Sequence, residues 1–247
     1  MTITDLAELR LATTNATALW KALAGARGHD VVERPGFVAV AGDERAGLRI
    51  ILQSSSPDTS DVAELTALAE GWTRGPALVE DSYGVVDMTA IGLTPRRMPV
   101  MIRRPGTALP PPAVEIVRVE RAEQLETAER IVVEGFPLSR FQPHLAGQAF
   151  PAALLGHEGV DLFVAEKDGE PAGACVTVAD GTVGGVYWVT TLPGFRSLGV
   201  GRALMHAVLG GLLKDLPVTL TAASAGKPLY DSLGFTTVTQ STWWSSP

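Results

Sequence analysis

Val183-Gly-Gly-Val-Tyr-Trp-Val-Thr-Thr-Leu-Pro-Gly-Phe-Arg-Ser-Leu-Gly-Val-Gly-Arg-Ala-Leu-Met-His-Ala-Val-Leu209 is the stretch that organises the rest of this chain. It begins as a β-rich run, turns at Pro193-Gly194, and passes through glycines at 199 and 201. Val200, Leu204 and Val208 then recur every fourth residue with Ala203 and Ala207 beside them, so a helix starts near Gly199. A strand feeding a turn into a helix N-terminus makes an anion site. The first helical N–H groups have no intrahelical partner, and the helix dipole favours negative charge there. Gly199 and Gly201 carry no side chain that would keep a diphosphate off the backbone, and Arg196 and Arg202 add positive charge.

Around that stretch, 247 residues with 46% hydrophobic content suffice for a substantial core, as one large domain or two small ones. A net charge of -7 argues against general nucleic-acid binding, which leaves a basic footprint. Cys175 is the only cysteine, which excludes a disulfide within the chain and a cysteine-based metal site. It lies in an apolar strand pattern and reads as an inert core thiol. His29, His144, His157 and His206 show no ligand spacing, and His206 is expected on the open face of its helix. No metal is expected. No signal peptide and no apolar run of membrane length are seen, so the expectation is a soluble, cytoplasmic protein without membrane contact.

From the N-terminus, residues 5–24 read as a helix, and 36–41 and 48–52 as strands. An amphipathic helix follows, with Val62, Leu65, Leu68, Ala69 and Trp72 as its stripe and Asp61 and Glu64 at capping-box spacing. Short strands are expected at 77–79, 83–86 and 98–102. The proline-rich run 105–112 neither joins a central strand nor extends a helix, so it divides an α/β domain at 1–104 from a second domain at 113–247. That second domain reads as a strand at 114–119, a helix at 122–134, a proline-broken helical stretch at 136–156 and strands at 161–166 and 172–178. The strand 182–191 precedes the central helix, and a strand at 218–221, a short helix at 226–233 and a last strand at 235–244 follow it. Lys167-Asp-Gly-Glu170 is a strong hairpin signal.

Two blocks in this order carry a family resemblance. Arg196-Ser197-Leu198-Gly199-Val200-Gly201 resembles the Arg/Gln-x-x-Gly-x-Gly/Ala signature of the GNAT superfamily of acyl-CoA-dependent N-acyltransferases, with Pro193 three residues before the arginine as in that family. Leu229-Tyr230-Asp231-Ser232-Leu233-Gly234-Phe235 is similar to the family's second coenzyme motif. The resemblance covers about 135 residues from Val114 and implies an α/β fold with a mixed sheet. The N-terminal half is then a degenerate copy of the same fold or an unrelated α/β module, at even odds. It also implies that Arg196, Ser197, Leu198, Gly199, Val200, Gly201 and Arg202 grip the coenzyme A diphosphate. Val189, Thr190 and Thr191 would meet the pantetheine arm through backbone groups, with Thr191 standing where the family usually has an aliphatic residue. One N–H of that strand would hold the developing oxyanion.

Tyr230 matches the family's frequent general acid and would assist the departing thiolate. The alternative is a ring packed on the short helix with its hydroxyl in solvent. Ala223 replaces a common Asn or Ser, and Ser224 beside it is the candidate substitute. Gly185 stands where many relatives place a glutamate base, leaving Glu134 or a water chain for that role. Residues 135–156 would build the amine pocket, with Phe136, Phe141 and Phe150 as lining or core, while Trp243 and Trp244 alternate on the final strand so that at most one faces it. The implied function is acetyl transfer from acetyl-CoA to a primary amine of a small molecule or peptide. The rivals are a non-catalytic acyl-CoA-binding or sensor protein and, less favoured, a nucleotide-phosphate binder. The N-terminal half is left with three roles: amine specificity, a homodimer surface, or scaffold.

Overall fold

The computed structural model describes residues 3–106, 108–136 and 138–246. In chain order the elements are α1 (Ile3–Arg27), β1 (Asp30–Glu33), β2 (Phe37–Ala41), β3 (Leu48–Leu52), α2 (Thr59–Glu70), β4 (Ala77–Asp81) and β5 (Thr94–Arg103). They continue with β6 (Glu115–Arg118), α3 (Ala122–Gly135), β7 (Val160–Lys167), β8 (Glu170–Ala179) and β9 (Gly184–Thr191). The chain closes with α4 (Val200–Gly210), β10 (Val218–Thr221), α5 (Lys227–Ser232) and β11 (Thr236–Ser245). By contacts, Met1–Ile102 together with Thr219–Pro247 form one unit, and Arg103–Val218 a second.

In the first unit the strand order is β1-β2-β3-β4-β11-β5, with β10 beside β5. β1, β2 and β3 form an antiparallel meander, α2 carries the chain from β3 to its parallel neighbour β4, and β11 runs antiparallel to both β4 and β5. Phe37, Ile50, Leu52 and Val79 of the sheet bury against Leu65 and Ala69 of α2, with Trp244 in the same cluster. Strand side chains alternate, so Trp243 points the other way. Its ring lies 5.5 Å from the Arg49 guanidinium, which stacks on Trp20 of α1 at 3.7 Å and pairs with Glu80. Burial pushes the Arg49 guanidinium down and the Glu80 carboxyl up, each opposed by the partner's charge.

Two expectations for this region are corrected. The stretch 83–86 is not a strand: the buried Asp81 carboxylate accepts the N–H groups of Tyr83, Gly84, Val85 and Val86 at 2.7–3.0 Å, and a backbone bonded to one side chain cannot also pair in a ladder. The capping box at Asp61 and Glu64 does not form. The helix begins earlier, behind Asp58, while Asp61 accepts the Gly36 N–H at 2.8 Å and Glu64 holds Arg34. Strand β1, too short and polar to read in sequence, is an addition.

The domain expectation divides the sequence at the proline-rich run, whereas the compact units divide it again at residue 218. The reason is β11: Thr242–Ser245 pairs with Leu78–Asp81 while Thr236–Ser245 pairs with Thr94–Ile102.

The second unit holds the antiparallel sheet β9-β8-β7-β6. Asp168 and Gly169 turn the β7–β8 hairpin with φ 55° and 82°, the positive angles that a two-residue turn demands. β8 is central and buried from Ala172 to Val178, which explains its unbroken apolar reading. Cys175 lies there fully buried, its thiol pushed up to about 12 by desolvation. Thr190 meets α3 while Gly173, paired with the adjacent Thr191, meets α4, so the two helices cover opposite faces of the sheet.

Instead of a broken helix, residues 138–156 form only two 3-10 turns, Ser139–Phe141 and Ala152–Gly156. His206 is not on an open face either. It is half-buried, with the Pro111 backbone as a hydrogen-bond partner. Burial and then the Arg202 charge hold its imidazole below the usual range, against the Pro111 bond.

Ending the chain at Phe235 deletes the strand between β4 and β5. Such a truncation is expected to lose cooperative thermal unfolding by circular dichroism, and residues 1–104 expressed alone are expected to behave the same way, since both lack β11.

Candidate coenzyme site

The site residues of the second unit gather where β9 leaves its ladder. Ala174 pairs with Thr190 and Val176 with Tyr187, so Trp188 and Val189 together stand opposite the single residue Cys175. This is a β-bulge, a device that re-aims backbone groups and side chains. Trp188 takes the left-handed φ of 48°, a rare conformation for a bulky residue. Thr190, buried, closes the bulge by donating its Oγ1–H to the Trp188 carbonyl at 2.8 Å.

Beyond the bulge, a 3-10 turn at Pro193–Phe195 leads into an exposed loop at 196–199. Ser197 and Gly199 both sit at positive φ, 63° and 83°, which bends the loop sharply into α4. Gly199 has open space around it, so its requirement is conformational and not steric. The first bond of α4 runs from the Ala203 N–H to the Gly199 carbonyl at 2.9 Å, which leaves the Val200 and Gly201 N–H groups ahead of the intrahelical ladder. Arg202 is exposed in that first turn, and exposed Arg196 donates to the Gly135 carbonyl at 3.4 Å. Buried Val200 anchors the helix start while the rest of the loop faces solvent. The arrangement offers an anion unpaired N–H groups, a helix dipole and two guanidinium groups.

Two glycines set how closely the helices approach the bulge. A Cβ on Gly135 would lie 2.6 Å from Thr190 Cγ2, and one on Gly173 would lie 2.6 Å from Val200 Cγ1 and 2.7 Å from the Thr190 carbonyl. Sequence reading found neither, since a glycine at a helix end or in a strand has many causes.

It also missed Glu129. This glutamate is 1% exposed on α3 and accepts the N–H groups of Gly147, Ala149 and Phe150 at 2.7, 2.6 and 2.9 Å. His144 Nε2 lies 3.3 Å from the same carboxylate. Glu134, the candidate base, instead stands exposed at the end of α3 in an i,i+4 pair with Arg130 at 3.3 Å. Of the three phenylalanines, Phe150 is buried, and Phe136 and Phe141 are half-exposed.

Ser224 and Tyr230 belong to the first unit. Ser224 is exposed in a turn. Tyr230 on α5 is 9% exposed, its ring packed edge-on against Phe235 at 5.9 Å, as the packed-ring half of the alternative reading expects. Among the described residues no group of three His, Cys, Asp or Glu side chains could hold a metal, and no helix is long and apolar enough to cross a membrane.

Residues 158–237 match the family model of the acetyltransferase (GNAT) domain. No curated protein matches the chain. Among solved structures it is similar to a GCN5-related N-acetyltransferase from Kribbella flavida, at 20% identity over 96% of this chain and 95% of that one, with a TM-score of 0.64. A GNAT-family protein from Novosphingobium aromaticivorans aligns at 14% identity over 95% and 94%, with a TM-score of 0.59. A tandem GNAT protein from the clavulanic acid biosynthesis pathway aligns at 14% over 85% and 78%, at 0.55. Identities this low speak for the fold. The mixed α/β class and the GNAT resemblance read from the two motifs are borne out.

Gly173→Ala tests the packing beneath the site. Its Cβ would press on Val200 and on the Thr190 backbone, and overpacking of this kind costs about 1–3 kcal/mol. Gly194→Ala, with nothing within 4 Å, is the control and is expected to stay within about 0.5 kcal/mol. Urea midpoints check both.

Proposed function

We propose that this chain, which carries a GNAT acetyltransferase domain over residues 158–237, transfers the acetyl group of acetyl-coenzyme A to a primary amine by direct attack in a ternary complex. The observation that carries the reading is the continuous run of bulged β9, left-handed Ser197 and Gly199, and the open first turn of α4. Backbone groups of Val189, Thr190 and Thr191 meet the pantetheine arm much as an added strand would. Ser197, Leu198, Gly199, Val200 and Gly201 with Arg196 and Arg202 hold the diphosphate, and Ser224 contributes a polar contact. The coenzyme thioester supplies an activated acyl carbon: the amine nitrogen forms the new C–N bond as the C–S bond breaks. An N–H of the bulge stabilises the oxyanion, and the Tyr230 hydroxyl gives a proton to the leaving thiolate.

In this reading residues 113–247 supply the acyltransferase domain and 1–104 a degenerate copy of it. The order helix, three antiparallel strands, helix, parallel strand in α1 to β4 supports that assignment, as does the similarity to a tandem GNAT protein. The copy does not repeat the coenzyme site. Its β3 and β4 are paired from Leu48↔Ala77 to Ile51↔Glu80, the connection is Gln53-Ser-Ser-Ser-Pro-Asp58 without glycine, and its helix begins with Asp58 and Asp61. Carboxylates there repel an anion.

A binding protein without turnover is the second reading. Its support is that β9 carries no carboxylate and Glu134 is engaged on the surface with Arg130. Both readings need the coenzyme. Acetyl-CoA at a hundred times its dissociation constant stabilises a fold by about 2.7 kcal/mol. At ~2–4 °C per kcal/mol that is roughly a 5–10 °C rise in melting temperature. Wild type is expected to show the rise and Gly201→Glu to lose it. No rise in a folded wild type removes both readings. Tyr230→Phe separates them: turnover falling about 100-fold with the thermal shift retained supports catalysis, and binding without acetylation of any amine supports the sensor.

A further inference from the structure

We infer that Glu129 is a positioning residue for the amine side of the site, acting through Phe150 on the bulge at Trp188. The inference rests on the acyltransferase reading. Residues 144–150 have no regular structure of their own; one backbone bond within the segment runs from the Gln148 N–H to the Leu145 carbonyl at 3.3 Å. The Glu129 carboxylate ties the segment to α3. Oε1 takes the N–H groups of Ala149 and Phe150, and Oε2 takes that of Gly147 and faces His144 Nε2. Three backbone N–H groups bond to this carboxylate and His144 Nε2 stands 3.3 Å from it, so Glu129 is engaged with the loop itself.

Its effect reaches the reacting centre by packing. The Phe150 N–H is bonded to Glu129, and the Phe150 ring lies 5.4 Å from that of Trp188, tilted by 50°. Trp188 is the left-handed residue of the bulge, and its carbonyl receives the Thr190 hydroxyl. A second tie fixes the start of the same loop: Gln142 Nε2 donates to the Val133 carbonyl of α3 at 2.7 Å. Helix α3, the loop and the β9 bulge thus form one connected body. The loop sequence from Phe136 to His157 contains no carboxylate. Glu129 is spent on the loop's own backbone and lends no charge to a bound amine, so its contribution is where the loop stands.

The test uses the full chain, Glu129→Gln and Phe150→Leu, with phenethylamine, spermidine and the dipeptide Leu-Ala as amine probes. Glu129→Gln turns one acceptor oxygen into an NH2 donor that faces N–H groups. Phe150→Leu keeps the backbone bonds and removes the ring from Trp188, so it serves if the first variant fails to fold. A misplaced reacting group costs up to about 100-fold in rate, so each variant is expected to raise KM for the best amine and to lower kcat/KM about tenfold or more, with the acetyl-CoA dissociation constant changed by less than about threefold. Hydrogen exchange is expected to speed up at 144–150 in Glu129→Gln, and at the peptide containing Trp188 in both. An unchanged amine KM in folded variants, or unchanged exchange at Trp188, overturns the inference alone. Loss of acetyl-CoA affinity in parallel with the rise in KM also overturns it, since the effect would then be general loosening. A wild type that binds acetyl-CoA and acetylates none of the probes overturns it together with the acyltransferase reading.

Discussion

The close approach of two helices to one bulged strand is the constraint on which the second unit depends. Thr190 has α3 against its side chain and the α4 side of β8 against its backbone, and only the absence of Cβ atoms at Gly135 and Gly173 leaves room for both. With the helices at that distance, Thr190 reaches the Trp188 carbonyl and holds the strand in its bulged form. The left-handed backbone at Trp188 is a conformation that a bulky side chain keeps only when its surroundings enforce it, and the surroundings here are Thr190, Tyr187 and Phe150. The loop that follows inherits its direction from this arrangement. Val200, buried against Gly173, fixes where α4 begins, and so where its unpaired N–H groups stand.

The first unit shows what the same order of elements does without that constraint. Its β3 and β4 run parallel with an unbroken register, and the β3–α2 connection closes on itself: the Gln53 N–H bonds the Gly36 carbonyl while the Gly36 N–H goes to Asp61. A strand pair with its ladder satisfied has no backbone groups to lend to a ligand. The buried groups of this unit are turned inward instead. Arg49 and Glu80 neutralise each other between Trp20 and Trp243, and Asp81 is saturated by the turn after it.

How far the sequence revealed this depended on whether a feature was local. The glycine turn into α4, the α4 stripe and the Asp168-Gly169 hairpin are read from neighbours a few residues apart, and each of these elements stands where expected. The bulge was not legible, because nothing local in Gly184–Thr191 marks the extra residue and the register shift appears only against β8. Glu129 was hidden for a related reason. On a helix with charged residues all along it, one buried carboxylate looks like the rest until its partners, fifteen to twenty-one residues away, are known. The exchange of β11 into the sheet of the N-terminal half is the longest-range feature of all, and a proline-rich run between two α/β patterns pointed the other way. Asp61 with Glu64 and the stretch 83–86 failed because side chains took the backbone bonds that the local pattern had assigned elsewhere.

The distribution of carboxylates bears on how an amine would lose its proton. β9 contributes none, Glu134 is exposed beside Arg130, and Glu129 accepts three backbone N–H groups of the loop. An alkylammonium with an ordinary pKa still exists as a small neutral fraction near neutral pH, and that fraction alone can attack. On the proposed reading the second unit would align the neutral amine and polarise the carbonyl, leaving deprotonation to solvent or to the substrate itself. Rate should then, on that reading, rise with pH along the titration of the free amine.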